Sequence, residues 1–410
     1  MRNRKKRRLG CLISIILVFT ICFVGVAGYG IYLKLFPSQQ EEKQNFPHKK
    51  ESSIPFQKVD QVEPTIEKKY YYQQLNQEEQ LVYQEIVQGI KDQQEEIYMH
   101  ASTSEMVLRV FGMVLNDSPE FFWCSGDATV TVYPKEDKET SYSVLSTTYL
   151  FPREERDRRQ QEIDMAVNTC LSGIGANASD YEKIEYVYNY IIQTTDYNME
   201  APDNQNIYSV LVNRQSVCAG YAKANQYLLE KSGILCIYLT GTSTAPDGTV
   251  QPHGWNIVQC NNEFYQEDVT WGDPVFSQED TTMSGITNYD YMLCTDDEIY
   301  KTHVIDTELL VPECKDAAYN YFTVHGLYYN TYDANETLKI IKSGIASKLP
   351  VMTFKYADEA LYRTAYESIM NDLINQASKY LASLYGLTEV QYYYQVNEQM
   401  NRITIMWQYG

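Results

Sequence analysis

The apolar positions between residues 70 and 194 follow two different spacings. Apolar side chains four to seven positions apart, at Leu75, Leu81, Ile86, Ile90 and Ile97, are typical of a helix. Similar patterns predict further helices over 106–115, 154–172 and 179–194. Strict alternation on both sides of a charged KEDKE turn predicts a β-hairpin, with strands Thr129–Tyr133 and Tyr142–Tyr149.

The pattern between residues 205 and 300 alternates helix with strand. A helix is predicted from Val217 to Lys231, with Ser216 as its N-cap and Ser232-Gly233 at its end. β-prone runs then predict strands over 234–240, 256–260 and 264–269, and a short helix over 295–302. The Asn261-Asn262 pair between the last two strands is typical of a tight hairpin turn.

Beyond Cys314 the pattern indicates a separate small α+β unit. Strand-like stretches at 319–332 and 350–356 alternate with helical stretches at 335–346 and 358–385. A final hairpin is predicted over 389–408.

The first residues predict a membrane anchor. A basic RNRKKRR run precedes an apolar stretch from Leu9 to about Phe36 that contains no acidic residue, which is long enough for a transmembrane helix. Basic residues stay on the cytoplasmic side, so the rest of the chain should lie outside. Small residues at 25–30 leave a cleaved signal peptide as the alternative. The Gln-, Glu-, Lys- and Pro-rich residues 37–69 are typical of a flexible stalk.

Composition is that of a globular protein, with 44% hydrophobic and 21% charged residues. The net charge of −20 excludes nucleic acid as a favoured partner, because nucleic-acid binding depends on neutralising phosphates. Tyrosine is unusually frequent, at 37 residues. These side chains could fill half-buried strands or form an extended polymer-binding surface.

Nine cysteines are present, of which Cys11 and Cys22 fall in or beside the apolar segment. The other seven are an odd number, so at least one thiol should stay free or pair between chains. Up to three disulfides and a set of buried thiols are equally good interpretations of the remaining cysteines. The absence of a Cys-x-x-Cys motif argues against a structural zinc site.

Three residues between 205 and 300 together predict a thiol nucleophile. Cys218 stands in the first turn of the predicted helix, where free N–H groups and the helix dipole favour a thiolate. His253 opens a predicted strand, and its imidazole can take a thiol proton near neutral pH. Asp268 closes the antiparallel partner strand, so the two side chains should meet at one end of the sheet. None is specific alone; their order and element types make the prediction.

Competing interpretations of this constellation are weaker. Asp273 lies in a Gly-Asp-Pro context that is typical of a turn, and Glu267 should point to the opposite sheet face from Asp268. Histidine, cysteine and aspartate also ligate metals, but no paired ligand spacing accompanies His253. We therefore predict neither a metal nor another cofactor.

Around these three residues the sequence resembles the bacterial transglutaminase-like proteins. The resemblance lies in QNIYSVLVNRQSVCAGYAKANQYLLEKSGILCIYLTGT and PHGWNIVQCNNEFYQEDVTWGDP, and it covers about residues 180–300. That family places a cysteine at a helix start, a histidine in His-x-Trp-Asn and an aspartate in Asp-x-Thr-Trp. Cys218, His253 and Asp268 match these positions in this order, and Gly254 stands where the family often has alanine.

The resemblance implies a papain-like α+β core and attack of Cys218 on an amide carbonyl. The acyl group would then pass to an amine, as in cross-linking, or to water, as in proteolysis or deamidation. The backbone N–H of Cys218 would be one oxyanion donor. Further side chains that could line the site are Gln205, Asn206, Tyr221, Trp255 and Trp271, although the two tryptophans are equally well explained as packing.

The expected protein is therefore an α+β, extracytoplasmic thiol enzyme acting on a protein, peptide or cell-wall amide. A catalytically silent surface protein that binds the cell envelope on the same fold is the alternative. No oligomeric state is predicted. The expected divisions are a basic tip and transmembrane anchor (1–36), a stalk (37–69), a helical and hairpin extension (70–175), a transglutaminase-like core (176–315) and a C-terminal α+β domain (316–410).

Overall fold

The computed structural model describes residues 53–59, 64–135, 141–245, 247–273, 287–306 and 310–409. The predicted membrane anchor, with Cys11 and Cys22, lies outside these residues. Within the described part of the chain, no helix has both the length and the apolar character needed to cross a membrane.

The N-terminal part packs helices against a small antiparallel sheet. Its described strands run in the order β1-β3-β2. The prediction that placed Ile97 on a helix is wrong, because the helix ends at Lys91 and Ile97 lies on the strand that follows. The elements are α1 (Gln77–Lys91), β1 (Glu96–Met99), α2 (Ser104–Asp117), β2 (Cys124–Pro134), β3 (Ser141–Tyr149) and α3 (Arg153–Leu171).

The central part wraps helices around an antiparallel sheet of order β8-β7-β6-β9. The predicted turn at Asn261 and Asn262 is present, with φ of 49° and 71°. Both values lie in the left-handed region that a type I′ hairpin turn requires. The elements are α4 (Asp180–Thr194), β4 (Asp196–Tyr197), α5 (Ile207–Leu211), β5 (Gln215–Ser216), α6 (Cys218–Lys231), β6 (Cys236–Thr244), β7 (Val250–Cys260), β8 (Glu263–Glu267), α7 (Val269–Gly272), α8 (Asp296–Ile299) and β9 (His303–Ile305).

These two parts share one hydrophobic core that extends from Ile66 to Cys314. The Tyr71 hydroxyl donates to the Tyr238 carbonyl at 2.6 Å, which joins the N-terminal part to β6. Residues assigned from composition to the stalk also pack on this body: Ile54 is buried in a cluster with residues of β3. The N-terminal part is thus a layer of the central fold.

The C-terminal unit has its own core, between its helices and one face of its sheet. The described strands run in the order β10-β11-β13-β12. Strand-like structure predicted over 319–332 is wrong for most of its length, because Asn320 caps a short helix and Gly326, with φ of +67°, turns the chain. The elements are α9 (Tyr321–Val324), β10 (Tyr328–Tyr329), α10 (Ala334–Ala346), β11 (Val351–Tyr356), α11 (Glu359–Ser368), a π-helical turn (Ile369–Leu373), α12 (Ile374–Tyr385), β12 (Tyr392–Asn397) and β13 (Arg402–Trp407).

A buried ion cluster joins the C-terminal unit to the central fold. The Lys355 ammonium lies 2.8 Å from a Glu298 carboxylate oxygen and 3.7 Å from Asp290. The Arg402 guanidinium donates to Asp290 at 2.7 Å. Asp290 precedes Tyr291, whose carbonyl accepts the backbone N–H of Asp268 at 2.9 Å. The C-terminal unit therefore holds the segment that supports Asp268.

Replacing Lys355 with methionine should lower the free energy of unfolding by about 3 kcal/mol, because the change leaves buried carboxylates without a partner. A urea titration of the full chain would measure the loss. Lys339→Met is the matched control, since Lys339 pairs with Glu336 in solvent and such pairs contribute little. Equal stability of the two variants would contradict a structural role for the ion cluster.

Candidate active site

Cys218 is the first residue of α6 and is partly exposed. The N-cap residue, Val217, provides no side-chain cap, so the N–H groups of the first helical turn remain available. The prediction that Ser216 caps this helix is wrong. Its hydroxyl instead bonds Ser209 at 2.6 Å and the Asn204 carbonyl at 2.8 Å, which ties the preceding loop to the helix start.

The small residues after Cys218 serve close packing. A Cβ at Gly220 would lie 1.9 Å from the Ser216 hydroxyl and 3.0 Å from the Asn204 carbonyl. A larger residue would push the loop from the helix. The glycine thus fixes the loop against the turn that carries the thiol.

His253 and Asp268 meet at one end of the sheet, as the hairpin register requires. His253 lies near the start of β7, and Asp268 follows β8, the antiparallel partner of β7. Their side chains are buried, and His253 Nε2 lies 2.7 Å from Asp268 Oδ2. Asp268 also caps α7, because its Oδ1 accepts the N–H groups of Thr270 and Trp271.

The charges of this pair reinforce each other. Burial alone would lower the pKa of His253, but the Asp268 carboxylate, helped by a hydrogen bond with Cys218, raises it to about 10. Burial would also raise the pKa of Asp268, yet His253 holds it well below its usual range. Nε2 is engaged by Asp268, so Nδ1 is the ring nitrogen left for Cys218. A charged imidazole beside the sulfur stabilises a thiolate.

His303 is a further member of the cluster that sequence reasoning missed. Its Nε2 lies 3.0 Å from the same Asp268 oxygen, and its Nδ1 lies 2.8 Å from the Thr302 hydroxyl. Burial lowers the pKa of His303 although Asp268 opposes this. A neutral ring that accepts from Thr302 can donate from Nε2, so His303 orients Asp268. The only local signal was the short β-prone run His303–Ile305.

The two tryptophans have different environments. Trp255 is fully buried, donates to Gln266 at 2.9 Å and stacks beneath His253 with ring centroids 6.1 Å apart. It therefore packs under the site and lines no cleft. Trp271 is partly exposed and meets the His253 ring edge-on, with centroids 6.3 Å apart. Trp271 also lines the wide cavity beside the site.

The weaker lining candidates have other partners or lie in solvent. Gln205 is exposed, whereas Asn206 is buried and caps α5. Tyr221 is buried, and its hydroxyl donates to Asp273 at 2.8 Å. Asn206 and Tyr221 are thus committed to local structure, and Asp273 is engaged by Tyr221.

Glu267 points away from Asp268, as the strand period predicts. Asn225 of α6 donates to it at 2.8 Å. Burial raises its pKa to about 8, so this carboxyl is largely protonated at neutral pH. The Asn225 contact holds α6 against the sheet, since Asn256 of β7 also donates to the Ala222 carbonyl of α6 at 3.0 Å.

Gly254, the departure from the family pattern, faces a tyrosine. A Cβ at this position would lie 2.7 Å from the hydroxyl of Tyr238 on β6 and 3.1 Å from its ring. The Tyr238 side chain therefore occupies the space where the family often has an alanine methyl group.

Gly254→Ala should lower the free energy of unfolding by about 1–3 kcal/mol, because the methyl group overpacks this contact. Adding Tyr238→Phe removes the closest atom and should recover about half of that loss. Thermal unfolding of the two single variants and the double variant measures the coupling. Strictly additive effects would show that Tyr238 does not set the residue at 254.

Three donor atoms in this cluster could in principle hold a metal ion. Atoms of His253, Asp268 and His303 lie within 4.8 Å of one another. The same atoms already satisfy each other through the two hydrogen bonds to Asp268 Oδ2. A metal would have to displace both protons, including that of the strongly basic His253. These three side chains therefore fit a hydrogen-bonded cluster better than a metal site.

Comparisons with solved structures give partial likenesses. A crystal structure of a TGase is 11% identical, with 43% of this chain and 50% of that chain covered and a TM-score of 0.25. A proposed cysteine protease from Cytophaga hutchinsonii is 12% identical, with 37% and 65% covered and a TM-score of 0.23. A proposed protease from Parabacteroides distasonis is 11% identical, with 32% and 29% covered and a TM-score of 0.21. This chain thus spans between 29% and 65% of the length of these proteins.

No curated protein matches the chain. The family model described as "Transglutaminase-like superfamily" matches residues 169–273. That range contains Cys218, His253 and Asp268, whereas His303 lies outside it. Residues 169–273 are therefore similar to transglutaminase-like domains, and this range carries the thiol and two of the three residues clustered around it.

Proposed function

We propose that this protein is a thiol enzyme that forms an acyl-enzyme from an amide, with Cys218 as nucleophile, His253 as acid–base and Asp268 as the residue that orients His253. The observation that carries the proposal is the meeting of these side chains: His253 bonds Asp268 at 2.7 Å and also contacts Cys218. Nucleophile, base and orienting carboxylate are the parts that covalent acyl transfer needs.

The reaction begins when the Cys218 sulfur attacks the carbonyl carbon of the amide. The oxyanion that forms lies at the first turn of α6, where the Cys218 N–H can donate to it. The C–N bond then breaks, and the leaving nitrogen takes its proton from His253. In the second half, an amine or water gives a proton to His253, attacks the thioester carbon and releases the thiolate.

The proposal places this chemistry outside the cytoplasm, on a protein, peptide or cell-wall amide. Support comes from the N-terminal sequence alone, in which a basic run precedes the apolar stretch that ends near Phe36. Transfer to an amine and hydrolysis remain two outcomes of the same acyl-enzyme.

Mass spectrometry of the intact chain tests the proposal. After incubation with N,N-dimethylcasein, a polypeptide rich in amides, we expect an acyl adduct that peptide mapping assigns to Cys218. Added primary amine should convert the adduct to an amine-linked product if the enzyme transfers, and leave a carboxylate product if it hydrolyses. No adduct and no product with either acceptor would favour the alternative, a silent binding protein on this fold.

A further inference from the structure

A wide cavity lies between the central fold and the C-terminal unit, beside the ion cluster that joins them. Its volume is about 1380 Å³, above the range of roughly 300–1,000 Å³ that is usual for small-molecule sites. Trp271, whose ring meets His253 edge-on, forms part of its wall. The cavity thus borders the site of the proposed chemistry through Trp271, although Cys218 and His253 do not line it, and it is large enough for a chain-like ligand.

One wall of this cavity is an unpaired strand edge. β10 pairs with β11 only at Tyr328 and Tyr329, opposite Lys355 and Tyr356. The earlier residues of β11, including Val351 and Thr353, line the cavity. On this side β11 has no neighbouring strand among the described residues before Lys355.

Hydrogen bonds along β11 show which way its backbone groups point. The Lys355 N–H donates to the Leu327 carbonyl, on the β10 side, while the Tyr356 N–H donates to Asn401, on the β13 side. Because strand residues alternate, the N–H and C=O groups of Val351 and Thr353 share the direction of Lys355. They therefore point away from β13 along the free edge of β11, and no bond to them is present within the described residues.

Two stacked aromatic rings also form part of the cavity wall. Tyr289 and Tyr321 stack with centroids 3.7 Å apart, and both lie on the cavity wall between the central fold and the C-terminal unit. Rings of this kind provide apolar contact with polar tips, which suits side chains of varied character. The backbone edge and the rings together match an extended polypeptide.

We propose that the cavity binds an extended stretch of a polypeptide substrate, which adds as a strand to the free edge of β11 and delivers a neighbouring amide past Trp271 to Cys218. This inference rests on the proposed function for the delivery step, whereas the binding step does not need chemistry. Strand addition uses main-chain hydrogen bonds for affinity, so the substrate class is an unfolded or extended protein segment.

The test removes one outward N–H from the edge. Thr353→Pro lacks that donor, and proline is tolerated on strand edges where the N–H faces outward. Thr353→Val keeps the N–H, loses the same hydroxyl and supplies the reference affinity. Each variant is made in the full chain with Cys218→Ala, and binding of fluorescein-labelled N,N-dimethylcasein is followed by fluorescence anisotropy.

We expect Thr353→Pro to bind about tenfold more weakly than Thr353→Val, from the lost hydrogen bond and the bulk of the ring at the edge. Ser343→Trp, an exposed position on α10 that lines the same cavity, should also weaken binding relative to Ser343→Ala. This second pair decides the question if the proline variant does not fold. The proposal would be overturned if Thr353→Pro and Thr353→Val bound equally well or, where the proline variant does not fold, if Ser343→Trp and Ser343→Ala did. It would also be overturned if the Cys218→Ala chain showed no saturable binding. If the variants bind more weakly as expected, but the chain that retains Cys218 forms no acyl adduct, this inference stands and the proposed function is rejected.

Discussion

Cys218→Ala should abolish acyl-enzyme formation and lower amide turnover by at least about a thousandfold, because no other group can replace the thiolate as nucleophile. Cys124→Ala is the matched control. Cys124 is the other partly exposed cysteine of the described residues, and burial raises its pKa, which disfavours its thiolate. Its removal should leave turnover within about twofold of the parent.

Alkylation by iodoacetamide separates nucleophile loss from misfolding. Brief treatment of the parent chain should modify Cys218 first, since it is a partly exposed thiol in contact with His253, and intact mass should show this label missing from Cys218→Ala only. The remaining described cysteines, Cys170, Cys236, Cys260, Cys294 and Cys314, are buried and unpaired. If the folded Cys218→Ala variant retained turnover, Cys218 would not be the nucleophile.

Local chemistry explains which elements the sequence could predict. Ser179 and Glu182 form a capping box at the start of α4, and the Asn261-Asn262 pair allows the positive φ values of a tight turn. Because this turn sets the register of β7 and β8, His253 and Asp268 could be placed at one end of the sheet from sequence alone. Such signals need only neighbouring residues.

The errors arose where distant parts of the chain determine the structure. Ser216 looked like an N-cap, but its hydroxyl is taken by Ser209 of α5 and by the Asn204 carbonyl. His303 could not be assigned because β9 pairs with β6, about sixty residues earlier, and only this pairing brings it to Asp268. The buried contact of Lys355 with Glu298 likewise joins segments that carry no mutual sequence signal.

The sharing of Asp268 between two histidines leads to the second large effect. Asp268→Asn should lower the rate of acylation by about a thousandfold, because a neutral amide cannot sustain the charge on His253. The raised pKa of His253, about 10, means that the imidazolium persists through neutral pH and is lost only as the pH rises through that value. Without the carboxylate, burial pulls this pKa down, and the imidazolium is lost at lower pH.

The rate of Cys218 alkylation measured from pH 5 to pH 10 reports this change directly. In Asp268→Asn, the pH range over which Cys218 reacts beside a charged His253 should be narrower, because its upper limit moves to lower pH. His303→Gln removes one donor to Asp268 but keeps the carboxylate charge, so acylation should fall only about three- to tenfold. An unchanged alkylation profile in Asp268→Asn would mean that His253 does not depend on this carboxylate. A loss in His303→Gln as large as that in Asp268→Asn would make His303, and not the charge of Asp268, the main determinant of His253 orientation.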